Sequence, residues 1–191
     1  MSVKITKKNE TRFNAMFVPL TPNIMVRLSE KWEDVQFKPE YDYLGPAEMG
    51  GHVLPETRDP CDRDFVEIND DTGDIIGYLH YRLCYGNSTA RGFLLVSFEN
   101  SPIFIRHVIE QAYEIFGRWG MNRIEFIAIG GNPALDGYRK LITRYGGIEC
   151  GHFHQSITLR DNTVHDVYVF EILVDDFYNK LHKEGDKDET R

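Results

Sequence analysis

Between residues 64 and 129 the hydrophobic period of the chain changes twice, and no other feature restricts the fold as tightly. Residues 64–68 (DFVEI), 75–85 (IIGYLHYRLCY) and 91–98 (RGFLLVSF) are rich in β-branched and aromatic residues. Turn formers separate them at 69–74 (NDDTGD) and 86–90 (GNSTA). They read as a three-stranded antiparallel meander. From 102 onward apolar residues recur at 105, 108, 109, 112, 115, 116 and 119, one stripe along a helix of about five turns. Asn100 and Ser101 offer a cap, Pro102 suits the first helical position and Gly120 the stop. Residues 124–129 (IEFIAI) return to a nearly continuous apolar run, as in a strand buried on both faces. A strand, a helix and a further strand in this order require a crossover onto one sheet.

The flanks extend the same sheet. Residues 13–20 (FNAMFVPL) read as a first strand, and Thr21-Pro22 opens a short amphipathic helix over 22–32. After Gly130-Gly131-Asn132-Pro133 a second long helix spans 134–145, with Leu135, Tyr138, Leu141, Ile142 and Tyr145 on its buried side. Two strands follow, 149–159 and 164–174, joined by a turn at 160–162. The expected fold class is α/β: a mixed, mostly antiparallel twisted sheet with helices on both faces. Residues 1–174 form one domain in this reading, and 175–191 form a charged C-terminal tail. Residues 33–63 are an irregular insertion containing four of the eight prolines, either a lid over a site or a tolerated surface loop.

Composition restricts the function classes. Thirty Asp+Glu against 22 Lys+Arg give a net charge of −8, which argues against nucleic-acid and anionic-membrane partners. The three cysteines, Cys61, Cys84 and Cys150, form no C-x-x-C pair and suit a reducing, cytoplasmic compartment. The start of the sequence has no apolar signal core, and no apolar run approaches the ~18 residues of a membrane span.

The order of elements, with the block 124–151 (IEFIAIGGNPALDGYRKLITRYGGIECG), resembles the GNAT superfamily of acyl-CoA-dependent N-acetyltransferases. The block is similar to that family's strand, its Asn-x-x-Ala-like helix start, its Tyr and its Gly. The chain is also similar, loosely, to GNAT-like proteins encoded by bacteriophages. The resemblance implies acetyl-CoA as co-substrate, lying where two parallel strands splay. The backbone of Val96, Ser97 and Phe98 would pair with the pantetheine amides. The start of the helix at Pro102, with Asn100, Ser101, Arg106 and His107, would receive the pyrophosphate, and Asn132 would cap its helix or contact the cofactor. The family's glycine-rich pyrophosphate loop is not reproduced, because no glycine occurs between Gly92 and Gly117. The resemblance also implies Tyr138 as the acid that protonates the leaving thiolate. Counted from the glycine end, Tyr145 stands nearer that role.

Glu99, at the end of the third meander strand, is the candidate base, with His80 the alternative. His152 and His154 share one strand face, and His165 stands on the next strand. They read as lining for an acceptor pocket or a dimer surface, which leaves room for a homodimer, and no metal site is assigned. The expected activity is acetyl transfer to a primary amine of a small molecule or protein. The alternative is an inactive GNAT-fold binding or structural protein of phage or mobile-element origin.

Overall fold

A computed structural model describes residues 15–44 and 59–188, with side chains through 182. Strand β1 (Ala15–Pro19) is followed by helix α1 (Pro22–Val35), whose Thr21 side chain accepts the Ile24 N–H. A 3-10 segment at Pro39–Leu44 comes next. The meander is β2 (Asp62–Asn69), β3 (Ile75–Cys84) and β4 (Thr89–Ser97). Helix α2 (Pro102–Tyr113) widens into a π-helical turn over Glu114–Arg118, where the Trp119 N–H reaches back to the Glu114 carbonyl. Strand β5 (Arg123–Ile129), helix α3 (Leu135–Arg144), β6 (Ile148–Thr158), β7 (Val164–Leu173) and helix α4 (Val174–Asp188) complete the order.

The seven strands form one sheet in the order β1-β2-β3-β4-β5-β7-β6. Only β4 and β5 run parallel. The expected mixed sheet is present, with helices on both faces. On one face Leu28, Trp32 and Val35 of α1 cover Val66, Ile68, Tyr78 and Val96. On the other, the helical residues Ile115, Phe116, Leu135, Ile142 and Phe177 cover Leu79, Tyr81, Leu83 and Phe170. Strand β3 is buried along most of its length because both of its faces are covered. Gly77 allows the closest approach: a Cβ there would lie 2.5 Å from the Phe104 ring, so its absence seats the first turn of α2 directly on β3.

Two expectations shift. The segment from Asp175, read as a charged tail, is helix α4, and its Phe177 is fully buried against Tyr113, Phe116 and Tyr145. Apolar residues at 174, 177 and 181 supply a helical stripe that the surrounding charges obscure. The segment read as irregular over 33–63 is in part ordered: α1 runs on to Val35, the 3-10 turn holds 39–44 and β2 starts at Asp62. Residues 13–14 of the first expected strand and 45–58 of the insertion lie outside the described residues.

Candidate active site

β4 and β5 pair at only two positions, Thr89 with Arg123 and Ala90 with Ile124, and then separate. Beyond that point each keeps its other neighbour: β4 stays on β3 through Ser97, and β5 stays on β7 through Ile129. The result is a wedge through the sheet. A cavity of about 280 Å³ occupies it. Consecutive residues on both strands line this cavity, Phe93–Leu95 on β4 and Phe126–Ile129 on β5. Neighbouring residues of a strand point to opposite faces, so they can share one cavity only if it opens along the strand edges.

Hydrogen bonding shows which backbone groups face this opening. The Phe98 N–H donates to the Ile76 carbonyl of β3, which turns Phe98 and Val96 towards β3 and Ser97 and Leu95 towards the wedge. The Ser97 carbonyl accordingly accepts the Tyr41 hydroxyl at 3.3 Å. On β5, Asn122 and Gly130 bond towards β7, which leaves the backbone of residues 125, 127 and 129 facing the wedge. Of the three residues expected to pair with pantetheine, Ser97 is therefore the one whose backbone faces the gap. The Val96 side chain is buried in the α1 core.

The helix start is largely self-satisfied. Ser101, itself buried, accepts the Phe104 N–H on Oγ at 3.3 Å and the Ile105 N–H on its carbonyl. Pro102 has no N–H, so Ile103 carries the first-turn N–H without a partner among the described residues. Arg106 is exposed and lies 3.9 Å from Glu110. His107 lies beneath α2, donating through Nδ1 to Glu67 Oε2 at 2.8 Å and packing against Phe17. Glu67 is fully buried, and burial pushes its carboxyl above the usual range. Asn100 and Glu99 are exposed in the β4–α2 connection, and the Glu99 carbonyl accepts the Ser97 hydroxyl.

Tyr138 and Tyr145 both line the cavity, about two turns apart on and just after α3. Tyr138 packs edge-on against Phe126 at 5.9 Å, and burial raises its phenol above the ordinary tyrosine value. Tyr145 stacks on Phe177. Asn132 also lines the cavity and caps the approach to α3, its Oδ1 accepting the Ala134 N–H at 2.8 Å. Tyr138 and Asn132 thus line one cavity, whereas Ser97, Glu99 and His107 are not among its lining residues; Ser97 meets the gap through its backbone alone, by the parity of its strand. His80 lies in another network: its Nδ1 donates to the buried Asp64, which also accepts the Tyr78 hydroxyl.

The sequence left residues 33–63 open between a lid and a tolerated loop and did not single out 39–44, which forms a wall of the site. Tyr43 and Leu44 line the cavity. Arg160, in the β6–β7 turn, holds the segment by hydrogen bonds from Nε to Asp42 at 2.6 Å and from Nη2 to the Gln36 carbonyl at 2.6 Å. Tyr43 meets the His165 ring edge-on, and His165 Nδ1 donates to the Gly130 carbonyl at 2.6 Å. The alternation Tyr-Asp-Tyr in a proline-rich loop was the available signal.

A splayed parallel pair between two helix-covered halves of a mixed sheet is the architecture of the GNAT acyltransferases, and this chain has that fold. It is similar to a spermidine N-acetyltransferase from Vibrio cholerae solved with CoA and spermine, at 17% identity over 86% of this chain and 98% of that one, TM-score 0.65. A chimera of the Vibrio cholerae enzyme with hSSAT matches at 18% identity over 86% and 98% of the two chains, TM-score 0.64. No protein-family profile matches the sequence. No curated protein matches it. Among the described residues no helix is long and apolar enough to cross a membrane.

Proposed function

We propose that the protein is an acetyl-CoA-dependent N-acetyltransferase acting on a primary amine. The observation that carries the reading is the wedge: Phe93–Leu95 and Phe126–Ile129 line one cavity between strands that separate after two paired positions. Its apolar walls suit the pantetheine arm, and the Ser97 backbone offers the pairing that a neighbouring strand would. Val96 and Phe98 contribute by holding β4 on β3. Asn100, Ser101 and Arg106 flank the helix start, where the Ile103 N–H, the helix dipole and the guanidinium favour a diphosphate. His107 supports that turn from beneath, and Asn132 fixes the start of α3.

In the reaction the amine nitrogen attacks the thioester carbonyl. The new C–N bond forms, the C–S bond breaks, and the thiolate takes the Tyr138 proton. The amine proton passes to Glu99 through water, since Glu99 stands exposed in the β4–α2 connection outside the cavity lining. The Tyr138 phenol, which burial raises above its ordinary value, carries its proton across the neutral range and so has one to donate. Placing both reactants in one wedge supplies much of the rate.

The test is acetyl transfer from acetyl-CoA to a panel of primary amines, polyamines included. Tyr138→Phe keeps the ring against Phe126 and should lower kcat by about 10²–10⁴-fold, with CoA affinity nearly unchanged and Tyr145→Phe close to the natural chain. Unchanged turnover in Tyr138→Phe removes the acid from its role. A second reading, a GNAT-fold binding protein without catalysis, is favoured by the helix start, where Pro102 and the Ser101 cap consume the donors that a phosphate would use. Absence of CoA binding at millimolar concentration selects it.

A further inference from the structure

On the sheet edge away from α1, strand β6 departs from regular pairing. Phe153 faces Val167 and Ile157 faces His165, so residues 154–156 lie opposite the single Asp166. Gln155 adopts a left-handed φ of 47°, and its N–H donates to Asp166 Oδ1 at 2.8 Å. The bulge thereby folds over the carboxylate and leaves Oδ2 turned towards two imidazoles. His152 Nε2 lies 2.9 Å from Oδ2 and His154 Nδ1 lies 3.6 Å from it, with the two rings 4.2 Å apart. His165, on the neighbouring strand, is engaged elsewhere with Gly130 and Thr163.

The geometry points to a divalent transition-metal site formed by His152 Nε2, His154 Nδ1 and Asp166 Oδ2. The three donor atoms lie within 4.8 Å of one another. Around a zinc ion at bond lengths of about 2.0–2.2 Å, donor atoms stand roughly 3.3–3.5 Å apart, so small side-chain rotations complete the set. Two imidazoles and one carboxylate select Zn²⁺ or Co²⁺ over Mg²⁺ and Ca²⁺. The outer shell is also in place. Gln155 fixes the carboxylate, and the Tyr168 ring stacks on His152 at 4.4 Å. The nearby Arg139, whose guanidinium lies 4.9 Å from the centre of the Tyr168 ring, is itself paired with Glu149 and Asp136. Three protein ligands leave a fourth position for water or an incoming donor. The Asp166 carbonyl accepts the Gly130 N–H, so the ion would stiffen the turn that follows β5 at the mouth of the wedge.

The test uses protein without a histidine tag, stripped of metal and titrated calorimetrically with Zn²⁺, with Co²⁺ absorption as a second readout. One ion per chain should bind, with excess Mg²⁺ failing to displace it. Asp166→Asn should weaken binding by at least about 10-fold, and the double variant His152→Ala/His154→Ala should abolish it while retaining the natural circular dichroism spectrum. Cys150→Ser, which removes the exposed thiol on the same strand, should bind as the natural chain does. Absence of saturable binding below about 1 mM, binding unchanged in the double variant, or binding lost in Cys150→Ser each overturns the assignment.

Discussion

Gly77→Ala tests whether α2 begins where the structure seats it. The new Cβ would stand 2.5–2.6 Å from three atoms of the Phe104 ring. Ordinary carbon contacts begin near 3.5 Å, so ring and methyl must part by about 1 Å. Phe104 is fully buried and packs towards Phe17, so the ring has no open side. Overpacking of this kind costs about 1–3 kcal/mol. For a chain of this size each kcal/mol lowers Tm by about 2–4 °C. Urea unfolding gives the free energy and calorimetry gives the Tm. A double-mutant cycle with Phe104→Leu isolates the contact, because the smaller side chain relieves the clash. The expected coupling is at least about 1 kcal/mol, within the range for residues in contact. The same displacement moves the proposed diphosphate site, so CoA affinity should fall in Gly77→Ala and recover partly in the double variant. A loss of stability under about 0.5 kcal/mol, the level of an indifferent substitution, would show that the close packing of α2 on β3 is wrong.

Other outcomes follow from buried charge and from the clamp on the 39–44 segment. Burial holds the Glu67 carboxyl above its usual range, so the folded chain binds this proton more tightly than the unfolded chain. The stabilising contribution is therefore present below about pH 4.5, the ordinary value, and is lost as pH rises through the folded-state value. Glu67→Gln retains an oxygen for His107 and removes the charge, so its stability relative to the natural chain should improve as pH rises through that window. A difference independent of pH contradicts the reasoning. Arg160→Ala frees Asp42 and the Gln36 carbonyl together. It should cost about 1 kcal/mol, as partly exposed ion pairs do, and should speed proteolysis within 39–44 more than elsewhere. Uniform acceleration across the chain would mean that the clamp does not hold the wall of the cavity.

The crossover was legible because its signal is periodic: two-residue alternation, then a 3.6-residue stripe, then a continuous apolar run. Helix α4 was not, since Phe177 and Leu181 stand among acidic and basic residues, and their burial depends on a groove built by α2, α3 and β7. The cofactor contacts were legible only in outline. Whether Ser97 or its neighbours face the wedge depends on the parity of the β3–β4 register, which a sequence does not print. The same holds for the histidines. Once His152 is known to face Tyr168, antiparallel pairing carries Asp166, not His165, to His154.

Amide hydrogen exchange with and without CoA tests the central claim most directly. If the thioester arm lies in the wedge as an added strand, CoA should slow exchange at Ser97 and at Ile127 and Ile129, leaving the β2–β3 ladder unchanged. Protection absent from those edges at saturating CoA, or confined to a different surface, would contradict the account.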